Sequence, residues 1–398
     1  MVHSDTAKGI RIAQSCESDP RAAVKEFHAQ VAQPDMALVI FFCSDEYDRV
    51  TLAAEMSRRF AGVQVVGCTT AGEIGPHGCR DHSIAGVSLA SSVCTATSGV
   101  VEHLQQFESD EGRLVAHELL YRLDRLDRLD RLEDDAPGVD RRNSFAFLLI
   151  DGLSVREELV AHALQDALGE IPVVGGSAGN GLSFADTYIY SEGRFYADSA
   201  ALVVVSTPLP VRTFKTQHFL PTDERLVVTE ADPAQRIVRE INGRPAAGEF
   251  ARTLGVAASE LGPLQFASSP VVVLIDGDHY VRSIQKVNPD GSLTFFCAIE
   301  AGVVLRVAKG VDLVANLEDA LAQLRAQIGP LQLLLTCDCI LRKLEVVENG
   351  LTDRVGDILR ANNAVGFNTY GEQFCGVHVN QTLTGVALGS GSAVGYGA

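Results

Sequence analysis

Val65-Val66-Gly67-Cys68-Thr69-Thr70-Ala71-Gly72-Glu73 is an apolar run that ends in a Gly/Thr turn, and Val365-Gly366-Phe367-Asn368-Thr369-Tyr370-Gly371-Glu372 repeats it near the other end of the chain. Five residue pairs share one displacement of 299 positions: Gly67/Gly366, Thr70/Thr369, Gly72/Gly371, Glu73/Glu372 and Gly86/Gly385. A fainter copy, at a displacement of 108, includes residues 147–151 and 173–175. The chain therefore reuses one strand-and-turn unit, and turns of this kind let a polar ligand approach the backbone closely.

Helical and strand patterns alternate around the first copy. Apolar spacing predicts a helix over residues 20–33, a buried strand over 38–42, a second helix over 47–60 and a second buried strand over 63–66. This alternation predicts an α/β fold of layered mixed sheets with flanking helices. We expect an N-terminal half built of two repeated α/β units, followed by a C-terminal α/β domain.

The expected domain limits follow from composition. Residues 1–34 are predicted as a helical lead-in and residues 35–206 as the domain of two units. Within that domain, a charged insertion at about 120–142 contains Arg-Leu-Asp triplets, and residues 134–138 are expected to end its helix. Thr207-Pro208-Leu209-Pro210 marks a boundary, so residues 207–398 are predicted as the second domain.

Charge and hydropathy exclude several classes of protein. The chain of 398 residues has 33 Lys and Arg against 51 Asp and Glu, a formal net charge of -18, which disfavours nucleic acid and anionic membranes as partners. No stretch approaches the roughly 20 apolar residues of a membrane helix, and the N-terminus lacks the apolar core of a signal peptide. We expect a cytoplasmic protein without membrane insertion.

Cysteines offer two candidate sites. Cys68, with His77 and His82 nearby in sequence, could form a nucleophile pair, although the matching positions hold Gly176 and Phe367. Zinc ligands could come from Cys337, Cys339, Cys375 and His378, but Cys-x-Cys lacks the chelate loop of structural zinc sites. Buried, reduced thiols are the simpler interpretation of both groups.

Two histidines could ligate a metal centre. His218 is followed by Phe219 in an apolar setting that suits a buried imidazole, and His378 precedes Asn380 and Thr382, which could orient its ring. A hydrogen-bonded structural histidine is the alternative for each.

Longer motifs resemble a known family. The chain resembles the FIST proteins, bacterial sensory modules, in Gly67-Cys68-Thr69-Thr70-Ala71-Gly72-Glu73-Ile74, Gly175-Gly176-Ser177-Ala178-Gly179, Val227-Val228-Thr229-Glu230-Ala231, Asn242-Gly243-Arg244-Pro245-Ala246 and the segment from Gly366 to Gly385. The resemblance covers nearly the whole chain as a FIST N-domain followed by a FIST C-domain. It implies a sensory, non-enzymatic protein that binds a small ligand and passes a signal to a kinase, a cyclase or a chemotaxis protein.

A narrower resemblance concerns the N-terminal segment. Asp19-Pro20, Gln33-Pro34 and Phe41-Phe42-Cys43-Ser44 look like the NosP subgroup, which binds haem and senses nitric oxide. His218-Phe219 stands where many FIST proteins have Gly-Trp. The resemblance therefore implies haem b, with His218 as the first choice of axial ligand, His378 as the second, and Phe219, Asn380 and Thr382 as further cofactor-binding residues.

The expected function is therefore a haem-based nitric oxide sensor. Its partner would be a sensor histidine kinase or a diguanylate cyclase or phosphodiesterase of cyclic-di-GMP signalling, and the chain could form a homodimer. Two alternatives stay open. One is a module that binds an amino acid or another small polar metabolite through the glycine turns with Glu372, Asn380 and Thr382; the other, less favoured, is a cysteine-dependent enzyme that uses Cys68.

Overall fold

Three units with one order of elements make up most of the molecule. The computed structural model describes residues 8–131, 141–275 and 277–391. Each unit runs strand, helix, strand, helical segment, strand, hairpin, strand, and the third unit carries a large insertion after its first strand. The α/β class with layered mixed sheets is confirmed.

The first unit starts with an edge strand. Its elements are β1 (Ile10–Ser15), α1 (Pro20–Val31), β2 (Met36–Ser44), α2 (Arg49–Arg59), β3 (Gln64–Thr70), the hairpin β4 (Glu73–Gly75) and β5 (Gly78–Arg80), and β6 (Ile84–Ala90). Asp19 caps α1 through the amide of Ala22, and Asp48 caps α2 through the amide of Thr51. We predicted residues 1–34 as a helical lead-in, but β1 pairs with β6 along its whole length, so α1 lies inside the first unit.

The second unit has the same plan with a longer first helix. Its elements are β7 (Thr95–Val101), α3 (Ser109–Arg131), β8 (Ser144–Ile150), α4 (Glu157–Leu168), β9 (Val173–Ser177), the hairpin β10 (Ile189–Ser191) and β11 (Arg194–Tyr196), and β12 (Ala200–Ser206). The Arg-Leu-Asp triplets continue α3, with Leu123 buried and Leu126 exposed. The predicted end of that helix at residues 134–138 lies outside the described residues.

The third unit is interrupted after its first strand. Its elements are β13 (Val211–Thr216), α7 (Leu313–Ile328), β22 (Leu331–Cys339), α8 (Ile340–Glu348), α9 (Thr352–Ala361), β23 (Ala364–Thr369), the hairpin β24 (Glu372–Phe374) and β25 (Val377–Val379), and β26 (Leu383–Gly389). We call the interruption, residues 219–310, the inserted sheet. It contains β14 (Phe219–Asp232), β15 (Ile237–Ile241), β16 (Arg244–Pro245), α5 (Ala246–Leu254), α6 (Pro263–Ser268), β17 (Val271–Ile275), β18 (Asp278–Arg282), β19 (Ile284–Val287), β20 (Leu293–Phe295) and β21 (Val304–Gly310).

Each unit completes its sheet with a hairpin taken from another unit. The strand orders are β1-β6-β2-β3-β10-β11, β7-β12-β8-β9-β24-β25 and β13-β26-β22-β23-β4-β5. The hairpin β10–β11 of the second unit thus pairs with the sheet of the first unit. The hairpin β24–β25 of the third unit pairs with the sheet of the second, and the hairpin β4–β5 of the first unit pairs with the sheet of the third. This closed exchange, which we call the ring, crosses the boundary we placed at residues 206 and 207, because the sheet that begins with β13 ends with β4 and β5 of the first unit.

The repeated glycines lie where neighbouring strands approach most closely. Gly67, Gly175 and Gly366 pair with Phe41, Leu148 and Thr336 on the adjacent parallel strand. A Cβ atom would lie 2.5 Å from the Phe41 carbonyl oxygen at the first glycine and 1.9 Å from the partner's carbonyl oxygen at the other two. In this register Leu148 is equivalent to Phe41, a displacement of 107 positions, so the predicted displacement of 108 is wrong by one for residues 147–151 and is confirmed for residues 173–175. The recurrence of these glycines is a requirement of the sheets.

A shared core fills the centre of the ring. Phe42, Phe147 and Phe367 come from three different units, and the Phe42 and Phe367 rings stack with centroids 4.6 Å apart. The position that differs between the copies faces this core: Cys68 and Phe367 are buried in it, and a Cβ at Gly176 would lie 2.8 Å from the Phe367 ring. The residues at this position complement one another in volume.

Candidate ligand-binding site

Two of the three units contain the same hydrogen-bonded turn. In the first turn, residues 70–83, one carboxylate oxygen of Glu73 accepts the Thr70 hydroxyl, and the other accepts the Ser83 amide at 2.9 Å and hydroxyl at 2.8 Å. In the third turn, residues 369–382, Glu372 accepts the Thr369 hydroxyl, and the Thr382 amide at 3.2 Å and hydroxyl at 2.7 Å. The sequence echo thus encodes one carboxyl-centred turn, used twice.

Both glutamates are fully buried. Burial raises the pKa of Glu73 to about 7 and that of Glu372 to about 8. The Lys343 ammonium lowers the first value, whereas the Asp338 carboxylate raises the second. The two turns therefore differ in their charged neighbours, although their hydrogen bonds match.

The first turn borders an open cleft of about 370 Å³. The cleft lies beyond the carboxyl ends of β2 and β3, the position where open α/β sheets commonly bind ligands. Helix α8 of the third unit forms the opposite wall. The lining residues are Ser44, Asp45, Thr70, Ala71, Gly72, Glu73, Asp81, His82, Gly181, Leu182, Ile340, Lys343, Leu344 and Val347.

Charges of both signs face this cleft. The Lys343 ammonium donates to the Ala71 carbonyl oxygen at 2.6 Å and forms an ion pair with Asp81. Partial burial raises the pKa of the half-buried Asp45. His82 contacts Glu46 at 2.9 Å through Nδ1. Ile340, Leu344 and Val347 supply an apolar wall, so the cleft suits a small ligand with two charged ends and an apolar body.

The third turn is closed by the inserted sheet. The Ser283 hydroxyl donates to Gln381 Oε1 at 2.9 Å, and Gln381 Nε2 donates to the Ala267 carbonyl at 2.7 Å. Arg282 reaches the His378 carbonyl oxygen at 3.1 Å. These contacts bury the segment that corresponds to the open wall of the first cleft.

His378, Asn380 and Thr382 are brought together in this closed turn. His378 Nε2 contacts the Phe296 carbonyl at 3.2 Å, Nδ1 contacts Gln373 Nε2 at 3.3 Å, and the Asn380 amide nitrogen lies 3.5 Å from Nε2. Since the Phe296 carbonyl only accepts, Nε2 carries the proton and donates to it, and Nδ1 accepts from the Gln373 amide nitrogen; the Asn380 amide nitrogen, which is also a donor, makes no hydrogen bond to Nε2. Burial lowers the pKa of His378 to about 4, which agrees with a neutral ring.

His218 and Phe219 lie elsewhere. His218 is buried against the Phe219 ring, with ring centroids 4.1 Å apart. Its Nε2 contacts both Glu345 oxygens at 2.9 Å, and its Nδ1 contacts Arg342 Nη1 at 3.4 Å. Among the described residues, the two histidines have no contact partner in common.

These surroundings do not fit an axial haem ligand. An imidazole binds iron through the lone pair of an unprotonated nitrogen. Since a guanidinium only donates, Nδ1 of His218 accepts from Arg342, while Nε2 donates to Glu345; Nδ1 of His378 accepts from Gln373. Neither of these lone pairs is free to reach a metal as the side chains stand. Haem binding remains a prediction from the resemblance alone.

The cysteine candidates are structural in their setting. Cys68 has no exposed surface, and burial raises the pKa of its thiol well above the ordinary value, which disfavours a thiolate nucleophile. Cys337 and Cys339 are buried along β22, whereas Cys375 is exposed. Within residues 8–131, 141–275 and 277–391, no three His, Cys, Asp or Glu side chains are grouped so that they could hold a metal ion.

Comparison with protein families decides the identity. The FIST N domain model matches residues 37–244, and the FIST C domain model matches residues 246–375. The chain belongs to the FIST family. FIST proteins are sensory signalling modules, so the coarser part of the expected function is established. Curated proteins give no match to this FIST chain. No helix in the described part of this FIST protein is both long and apolar enough to cross a membrane.

Sequence reasoning missed most of the cleft. Asp45, Asp81 and Lys343 were not selected, because each is an ordinary charged residue in its local pattern. One signal was available, since the displacement of 299 that relates the turns also aligns Asp81 with Asn380 and Cys79 with His378. Lys343 had no such signal: it reaches the first turn from a helix of the third unit.

Proposed function

We propose that this FIST protein is a sensory module whose signal is a small zwitterionic metabolite, such as an amino acid, bound in the cleft at the first turn. The observation that carries the proposal is an open cleft lined by the carboxylates of Asp45 and Asp81, by the ammonium of Lys343 and by an apolar wall. A cleft that presents groups of both signs selects a zwitterion over an ion of either sign.

Each part of such a ligand has a matching group. Lys343 has three N–H donors, of which two are used by Ala71 and Asp81, so the third can serve a ligand carboxylate. The half-buried Asp45 and the neighbouring cleft residue Asp81 are the carboxylates that can accept from a ligand ammonium. Leu344 and the exposed Val347 offer contact to an apolar side chain.

A thermal-shift screen of amino acids with the full chain tests this proposal. A ligand held at 100 times its dissociation constant should add about 2.7 kcal/mol to the free energy of unfolding. Asp45→Asn should weaken binding at least about tenfold, because a hydrogen bond to a charged group contributes about 1.5–3 kcal/mol. Asp110→Asn, at a side chain that is 86% exposed, is the matched control. If no amino acid stabilises the protein, or Asp45→Asn binds as well as the control, the assignment fails.

Haem is the competing ligand, and it rests on the narrower resemblance. Mixing the purified protein with haem and recording the Soret band with and without nitric oxide separates the two ideas. A spectrum like that of free haem is expected. A band that shifts with nitric oxide and changes in His218→Ala would replace the metabolite proposal with a haem sensor.

The signal must pass to another protein, since sensory modules act through partners. We propose a sensor histidine kinase, or a diguanylate cyclase or phosphodiesterase, as that partner. The activity of a purified partner should change when this protein and its ligand are added together, and should be unaffected by the ligand alone.

A further inference from the structure

The Lys343 ammonium occupies a small cation site at the first turn. It donates to the Ala71 carbonyl at 2.6 Å and pairs with Asp81. Gly72, with φ +137°, leaves the necessary room: a Cβ there would lie 2.6 Å from Nζ and 2.7 Å from Asn368 Oδ1. A carbonyl, a carboxylate and a nearby amide oxygen are a suitable set of acceptors for a primary ammonium group.

The third turn fills the corresponding position differently. A Cβ at Gly371 would lie 2.3 Å from Cε1 and 2.7 Å from Nε2 of His378. The turn there is filled by a ring from its own hairpin, whereas the first turn has the short Cys79 at the matching place. The first turn therefore has a space that its own unit does not fill, and a side chain from another unit occupies it.

The occupied position lies between two spaces. The open cleft of about 370 Å³ and an inner pocket of about 70 Å³ are both lined by Lys343 and Asp81. The Lys343 side chain is 21% exposed and that of Asp81 is 59% exposed, so solvent reaches the ion pair. Partly exposed ion pairs contribute little net free energy, so breaking the contact between Lys343 and Asp81 costs little.

We propose that Lys343 is a built-in occupant of a primary-ammonium site, and that a ligand takes over this site with its own ammonium group. The inference rests on the proposed function, because it concerns the regulation of the same cleft. The displaced Lys343 then becomes available to the ligand carboxylate, and helix α8 loses its polar contacts with Ala71 and Asp81 of the first unit. Ligand binding thereby changes how two units of the ring are joined.

Chemical rescue with a simple amine tests the proposal. Ethylammonium should bind Lys343→Ala at least tenfold more tightly than wild type by calorimetry, because the site is empty in the variant. Tetramethylammonium, which has the same charge and no N–H donor, should not bind. Asp81→Asn in the Lys343→Ala background should abolish the gain, and Lys309→Ala, at an exposed lysine of β21, should behave as wild type.

The same probe works if Lys343→Ala is poorly stable. Ethylammonium should then raise its melting temperature, but not that of wild type. Equal binding of ethylammonium to wild type and Lys343→Ala, or equal rescue by tetramethylammonium, overturns the inference.

The outcome is separable from that of the proposed function. Ethylammonium rescue without any amino-acid binding would support the ammonium site and remove the metabolite assignment. An amino acid that binds wild type and is weakened by Asp45→Asn, together with equal ethylammonium binding to wild type and Lys343→Ala, would do the reverse.

Discussion

The first and third turns have the same hydrogen bonds but different surroundings. Glu73 and Glu372 accept from matching hydroxyl and amide groups, and both carboxyls are buried. The first turn faces a cleft, whereas the third is covered by the inserted sheet. Hence the turn itself is a structural element of the ring, and access to it decides whether a unit can bind a ligand.

The inserted sheet is held over the third turn by a buried ion pair. Arg236 Nη2 lies 2.6 Å from Glu157 and also contacts Glu158, both on α4 of the second unit. Glu158 in turn accepts the Ala298 amide at 2.9 Å. The closed state of the third turn thus depends on contacts with a neighbouring unit.

Replacing the glycine that all three units have at the close strand contact should have the largest effect on the free energy of unfolding. Gly366→Ala places a Cβ 1.9 Å from the Thr336 carbonyl oxygen, so two central strands must separate. We expect a loss on the order of 4 kcal/mol in the free energy of urea unfolding, at the upper end for a single substitution. Gly248→Ala, in helix α5 with no atom within 4 Å of the added carbon, should change it by under about 1 kcal/mol. Similar values for both variants would contradict the close-approach explanation.

Releasing the inserted sheet from the third turn should have a smaller effect on the free energy of unfolding. Arg236→Met leaves the buried Glu157 without its cation, and removing one partner of a buried pair costs about 3 kcal/mol. Proteolysis of the inserted sheet and its hydrogen exchange should rise before those of the ring. Arg239→Met, at an arginine whose ion pairs are 3.8 Å long and exposed, should cost less than about 1 kcal/mol. A uniform loss of protection over the whole molecule would show that the sheet is not clamped at this point.

The smallest expected difference is in the pH dependence of the two turns. A carboxyl whose pKa is raised by folding stabilises the protein fully below its unfolded pKa, and this contribution is lost as pH rises through the folded pKa. The contribution should fade between about pH 4.5 and 7 for Glu73 and between about pH 4.5 and 8 for Glu372. The free energy of urea unfolding should be measured at half-unit steps of pH. Its decrease with rising pH should become flatter up to pH 8 in Glu372→Gln, and only up to pH 7 in Glu73→Gln. Glu118→Gln, at an exposed site, should keep the wild-type slope. Identical profiles for the two turn variants would remove the electrostatic difference between the turns.

The repeat pattern in the sequence predicted the class of fold and the equivalence of the turns. It did so because a glycine at a close strand contact and a threonine bonded to a glutamate are local requirements, visible within about 15 residues. The exchange of hairpins could not be predicted from the sequence. Equal spacing shows that two residues are equivalent, but it does not show which residues pair, as Gly366 does with Ile74.

The site was predicted less well for the same reason. His378, Asn380 and Thr382 were chosen from a long motif, yet they lie in the copy that is covered. The open copy carries Cys79, Asp81 and Ser83 at the matching positions, and its cation comes from Lys343 on a distant helix. Which copy is open depends on where the inserted sheet folds back, and this is a property of tertiary packing.

The exchange of hairpins around the ring also determines when each strand can pair during synthesis of the chain. The hairpin of β4 and β5 leaves the ribosome early, but its partner strand β23 is made near the end of translation. At about 5–20 residues per second, the hairpin waits on the order of tens of seconds with unpaired edges. A nascent or truncated chain therefore exposes strand edges that the finished protein covers, and a chaperone that shields them should raise the yield of folded protein.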